Sequence, residues 1–342
     1  MATNPQNCQE LDSLLSEPDE STIESIRMSS GDFAVLGASG KMGYHLCRML
    51  TRCIHSIGSQ QEVHAVSRFN SVRSREDFEN LGCQVHPADL SHHTQLGQLP
   101  DTGNIFFLAG VKFGTANDTA LLQKMNVEMP RMVAEKFQNS KIVALSTGCV
   151  YSFTTPESGG SVETDATDPP GEYARSCLGR EDAFVDAAQK YGTKSALIRL
   201  NYSIDLRYGV LHDLAKNILS SHPIDLSMGY VNVIWQADAL RHILRSLGYV
   251  TAPPEILNIT GPEVLKVRDL ATALGHRLDK TPVFTGQESL SAWLNNPKKS
   301  HRIFGKPATP IHAMLDMVAE WTKAGRESLG KPTHFQTLDG QY

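Results

Sequence analysis

Apolar residues along this chain fall into short solid runs separated by stretches in which they recur every third or fourth position. The runs at 33–36, 62–69, 104–110 and 141–145 are four to eight residues long and rich in Val, Ile, Phe and Leu, which suits strands buried on both faces. After the first run, Met42, Leu46, Met49, Leu50, Cys53, Ile54 and Ile57 keep the spacing of a helix with one buried side. A second helical stretch carries Leu122, Met125, Met129, Met132, Val133 and Phe137 on one face and is interrupted by Pro130. A third opens at Glu172, after a loop rich in Gly, Pro, Ser and Thr. Strand and helix alternate, and the chain therefore predicts an α/β doubly wound parallel sheet of Rossmann type.

The first strand stops at a glycine series, Gly37, Gly40 and Gly43, in the segment Gly-Ala-Ser-Gly-Lys-Met-Gly. Strand, glycine turn and helix in this order let the backbone approach a pyrophosphate, whose charge meets free N–H groups at the helix N-terminus. The spacing is G-x-x-G-x-x-G rather than G-x-G-x-x-G, so its weight comes from the strand and helix around it. Ser39, Lys41 and Met42 belong to the same predicted dinucleotide site.

Farther along, the ends of the strands supply the remaining candidates. The second strand ends at Ser67-Arg68. An arginine there suits a 2′-phosphate, which an acidic residue would repel, and this favours NADP over NAD. Glu62 has the right count past the glycines for a ribose-binding acid but begins the strand. Asp89, followed by Leu90, stands where it can accept from an adenine amino group or cap a helix. Ala109 and Gly110 are small enough to let a ribose pack closely, and Val111-Lys112-Phe113 follows in the loop over the crevice.

A net charge of −5 leaves no basic excess for nucleic acid or an anionic membrane. The expected partner is a small molecule. No apolar run reaches the ~18 residues of a membrane span, the N-terminus is acidic, and the six cysteines contain no C-x-x-C pair. A cytoplasmic protein with reduced thiols is expected. His92-His93 has no companion ligands, so no metal site is expected. Residues 1–30 read either as helical turns lying on the main domain or as a loosely held leader.

Several motifs together resemble the extended short-chain dehydrogenase/reductase family, the epimerase and dehydratase group. They are the glycine triplet, Asp89-Leu90, Ser-Thr-x-x-Val-Tyr at 146–151, Tyr-x-x-Ser-x-x-x-x-Glu at 173–181, Ile198-Arg199, Asp238 and Leu257-Asn258-Ile259-Thr260-Gly261-Pro262. The resemblance implies that Thr147 holds a substrate oxygen and that Tyr173 exchanges a proton while nicotinamide exchanges a hydride. It also implies a lysine four residues after the tyrosine, one helical turn away, to lower the phenol's pKa. This sequence has Cys177 there.

A thiol is neutral near pH 7 and shorter than lysine. Three readings stay open. Another cation substitutes, Lys112 first; or Cys177 carries chemistry as a thiolate; or the chain binds its cofactor without turnover, as a silent redox-sensing protein. Asn201, Tyr202 and Arg207, just past the sixth strand, are candidate substrate contacts. The resemblance implies a sugar or nucleotide-sugar substrate and a homodimer, the latter pairing through the methionine stripe and the face carrying Cys177, Phe184, Ala188 and Tyr191. The domain reading is a leader at 1–30, a nucleotide-binding domain at 31–200 and 230–262, and a smaller substrate-side domain at 201–229 and 263–342.

Overall fold

A computed structural model describes residues 4–70, 73–112 and 118–337 of the chain. Phe113 lies outside them. The apolar runs become strands β1 (Phe33–Leu36), β2 (Val63–Ser67), β3 (Gln84–Pro87), β4 (Asn104–Phe107), β5 (Lys141–Thr147) and β6 (Ser195–Leu200). A seventh strand, Glu255–Ile259, joins them in one sheet, all parallel, in the order seventh, β6, β5, β4, β1, β2, β3. The order reverses between β1 and β4, and in open sheets of this kind the crevice at such a reversal, outside the carboxyl ends of the strands, is where ligands bind. Every residue of β1 and β4 is buried. Parallel strands covered by helices on both sides require that continuous apolar run.

Three helices at the start of the chain support the site from below. The first two, α1 (Cys8–Leu15) and α2 (Glu20–Arg27), are capped by the Asn7 and Asp19 side chains. The third, α3 (Gly43–Ser56), packs its buried Leu46, Cys47, Met49, Leu50 and Cys53 beneath the sheet. The N-terminal segment is a docked structural element, which settles the choice left open by sequence: Leu11, Leu15 and Ile26 are fully buried. Leu11 and Leu15 join the core of the substrate-side residues, and Ile26 joins the core under the sheet.

The methionine stripe is covered in large part within the chain itself. Met129, Val133 and Phe137 are buried in the subunit's own core with Phe184 and Ala187 of the Glu172–Tyr191 helix, while Met125 and Met132 pack against that core. Phe184 meets Phe107 edge to face, ring centroids 5.5 Å apart. Met125, Met132, Ala188 and Tyr191 stay partly exposed on these faces.

Residues 202–233 and 264–335 share one core that includes Trp235, Trp293 and Trp321. Short ladders stitch it: Ser203–Ile204 with Ile234–Trp235, Tyr230–Val231 with Leu265–Lys266, and Ile224–Asp225 with Phe284–Thr285. Among the described residues no helix is long and apolar enough to cross a membrane.

Candidate active site

Each glycine of the triplet answers a different steric demand. Gly37 sits at φ +90°, and a Cβ there would lie 2.8 Å from the Ala109 backbone nitrogen, so the β1 and β4 ends approach only without it. A Cβ at Gly43 would run into the Ala38 carbonyl where α3 meets the strand. Gly40 is exposed, and a Cβ there would approach only the Gly37 carbonyl, at 3.2 Å. Two glycines thus close the turn and the third keeps its outer face bare. That bare backbone beside the N-terminus of α3 is a cradle suited to a pyrophosphate.

At the end of β2, the Ser67 hydroxyl lies 2.5 Å from the Ser39 hydroxyl and ties the loop to the strand. Arg68 is half exposed beside Asp89, 3.9 Å from its carboxylate. Burial alone would raise the Asp89 carboxyl, but the Ser91 hydroxyl and backbone N–H both donate to it and hold it below the usual range. Leu90 departs from expectation: its side chain is buried in the sheet's core with Leu96 and Leu99 and is not turned to the crevice.

Behind the crevice stands a polar scaffold built from the sequence motifs. Glu181 accepts from the Ser146 hydroxyl at 2.6 Å and takes two hydrogen bonds from Arg199, at 3.0 and 2.7 Å. Arg199 also donates to the Tyr151 hydroxyl, which donates to Asn258. These side chains are all buried, so the motif residues 146, 151, 181 and 199 lock β5, β6, the seventh strand and the long helix together.

A second network surrounds the catalytic candidates. Asn126, on the π-helical turn Lys124–Glu128, bonds both the N–H and the C=O of Val111 and donates to Ser176. Arg180 donates to Asn126 at 2.7 Å and to the Leu145 carbonyl at 3.0 Å. Its guanidinium fills the space where a side chain at Gly110 would go, so Gly110 makes room for Arg180. Pairing Asn126 and Arg180 was not anticipated from sequence. The signal was present: Tyr173, Cys177 and Arg180 stand at i, i+4 and i+7 of one helix face.

Tyr173 itself is packed against Cys177, Val150 and Tyr151. Burial, then the neighbouring Cys177, pushes its phenol well above the ordinary range, opposed by the charge of Arg180. Cys177 is fully buried, and burial raises its thiol too, against the pull of Arg180 and a hydrogen bond with Tyr173. A buried thiol held protonated is a poor nucleophile, which removes the support for a catalytic thiolate. Lys112 places its ammonium 5.6 Å from the centre of the Tyr173 ring. Burial lowers its pKa, with Cys149 and Cys177 beside it. Arg175 is exposed and paired with Glu172, away from this cluster.

Next to the cluster is a cavity of about 170 Å³ at the ends of β5 and β6. Thr147, Lys112, Asn201 and Tyr202 line it, as anticipated, while Tyr173 and Cys177 do not reach its wall. Lys41 and Met42 of the glycine loop line it from the opposite side. Lys41 was read as part of the phosphate cradle; its side chain instead crosses to donate to the Ser203 carbonyl at 3.0 Å and lies over the Tyr208 ring. Burial brings that ammonium down to about 8. Tyr208, Cys149 and Thr333 complete the wall and were not among the sequence candidates.

Arg207 is a correction. It does not line the cavity; it is buried in an ion cluster 3.1 Å from Asp12 and 3.6 Å from Asp205, with His45 beside it. Two buried carboxylates compensate its charge.

Residues 33–223 match the NAD dependent epimerase/dehydratase family, and the chain belongs to that family. No match was found among curated protein sequences. Among solved structures, the UDP-glucose 4-epimerase of Thermus thermophilus in complex with NAD is similar at TM-score 0.68 and 18% identity, over 84% of this chain and 98% of that one. The UDP-glucuronic acid 4-epimerase of Bacillus cereus in complex with NAD is similar at TM-score 0.70 and 17% identity, over 86% and 100%. The UDP-glucose 4-epimerase of Thermotoga maritima with UDP-glucose is similar at 0.69 and 16%, over 86% and 99%. At these identities the likeness is one of fold.

Proposed function

We propose that the chain is a nicotinamide-dinucleotide-dependent enzyme that acts on a sugar or nucleotide sugar by hydride transfer. One observation carries this reading: the bare-backed glycine cradle and the cavity lined by Thr147 and Lys112 open side by side at the carboxyl ends of β1 and β5. Family membership and the sugar-nucleotide epimerases of the same fold support it. A bound dinucleotide supplies the hydride acceptor or donor. The protein's part is to hold a substrate hydroxyl on Thr147 and to move its proton to and from Tyr173.

That proton step needs a cation, since burial disfavours the phenolate. In place of a lysine at position 177, we assign the role to Arg180, whose charge opposes the rise of the Tyr173 pKa, with Lys112 over the ring. NADP is the preferred cofactor in this reading, because Arg68 is half exposed at the end of β2 where a 2′-phosphate would lie.

A silent binder is the second reading, and the position of Tyr173 outside the cavity's lining favours it. Both are tested by mixing the cofactor-loaded protein with a panel of nucleotide sugars. Turnover that disappears in Tyr173→Phe supports the enzyme; cofactor binding without any turnover supports the silent binder.

A further inference from the structure

At the opposite end of the sheet, where β1 and β2 begin, Asp32, Glu62 and His64 bring two carboxylates and an imidazole nitrogen within 4.8 Å of one another. No lysine or arginine among the described residues pairs with either carboxylate. His64 is fixed by its strand, and only 9% of its side chain is exposed. Its Nδ1 lies 2.9 Å from His86 Nε2 on β3, so one ring nitrogen is committed to a neighbour. The other, Nε2, faces the carboxylates, 3.9 Å from Glu62 and beyond hydrogen-bond reach. Asp32 is held in place by accepting from the Glu62 backbone N–H at 2.8 Å, and Gln84 donates to one oxygen of Glu62 at 3.0 Å.

We propose that Asp32, Glu62 and His64 form a binding site for a borderline divalent transition cation, Zn²⁺ foremost, with His86 as the outer partner that orients His64. When His64 donates from Nδ1 to His86, a bare Nε2 lone pair is left facing two negative oxygens. A cation reverses that repulsion. A ligating histidine commonly gives its other N–H to such a partner, which fixes the tautomer. Imidazole with carboxylates suits zinc at distances of roughly 2.0–2.2 Å, water filling the remaining position. Glu62 is exposed and can close the ligand set by rotation. Bound there, the ion would clamp the starts of β1 and β2, far from the crevice, and so act on stability and not on hydride transfer.

The test uses the full chain, stripped with a chelator and titrated calorimetrically with zinc chloride. The expected result is saturable binding of about one zinc per chain and a rise in unfolding temperature of roughly 3 °C or more at saturation. Glu62→Gln, on an exposed side chain of the same size, should weaken binding by roughly tenfold or more. His64→Gln should do the same, and Glu79→Gln, elsewhere on the surface, should change nothing. Absence of one-site binding, or binding that Glu62→Gln leaves unchanged, overturns the proposal. Should His64→Gln fail to fold, Glu62→Gln alone decides.

Discussion

At the scale of single residues, the proposed reaction asks how a half-buried tyrosine would exchange a proton without a lysine one turn on. Thr147, Lys112, Asn201 and Tyr202 were legible in sequence because strand ends and the loops after them face the crevice in this architecture. Arg180 was not, because a guanidinium two turns along a helix looks remote until its length and the i+7 return are combined. Replacing Arg180 by Met removes the charge that opposes the high Tyr173 pKa. The pH–rate profile of Arg180→Met should therefore rise at more alkaline pH than that of the wild type. Cys177→Lys should move it the other way, since a nearby cation favours the phenolate. Unmoved profiles in both variants would remove Arg180 and position 177 from the proton step. At the cofactor's far end, Arg68→Ala should reduce NADP affinity more than NAD affinity in paired titrations.

Elements behave differently, because a glycine's duty depends on what its backbone meets. Gly43→Ala places a methyl against the Ala38 carbonyl and should cost about 1–3 kcal/mol of stability as overpacking, read as a lower denaturant midpoint. Gly40→Ala meets little inside the protein; it should leave the midpoint nearly intact and weaken dinucleotide binding. Equal effects in the two variants would contradict the division of labour. Sequence periodicity found the methionine helix and left its apolar face to core or interface, since a pattern shows that a face is covered and not by what. Phe107, Phe184 and Ala187 of the same chain do the covering.

The N-terminal helices carry a pH signature of their own. Asp12 joins His45, Arg73 and Arg207. Burial opposes its charge, but the His45 hydrogen bond and then the charges of His45, Arg207 and Arg73 hold its carboxyl far below the usual range. A carboxyl depressed on folding contributes stability that is complete above its unfolded pKa of about 3.9 and is lost as the pH falls below it. His45, kept neutral mainly by burial, adds loss in the same direction from about pH 6.5 downward. Asp12→Asn should thus destabilise at pH 7, by ~1–3 kcal/mol because Asp205 still faces Arg207. The deficit should shrink in acid. A deficit independent of pH would place the effect in packing.

Across the whole molecule, the first and last described segments meet. Arg326 donates to the Pro5 carbonyl, Thr333 bonds Asp213 through its N–H and hydroxyl, and Phe335 is buried. Thr333 thereby reaches the cavity wall. The placement of 330–335 depends on contacts with residues more than a hundred positions away, which no local pattern encodes. The alternation of strands and helices, by contrast, is local, and it made the sheet readable.

If cradle and cavity form one active site, Tyr173 exchanges a proton with a sugar as hydride passes to or from the dinucleotide. The most direct test is to follow the near-ultraviolet absorbance of reduced nicotinamide after rapid mixing of the cofactor-loaded protein with nucleotide sugars. A transient or lasting change is expected with at least one sugar, its rate increasing with pH in the alkaline range and abolished in Tyr173→Phe. A change that persists undiminished in Tyr173→Phe would contradict the assignment.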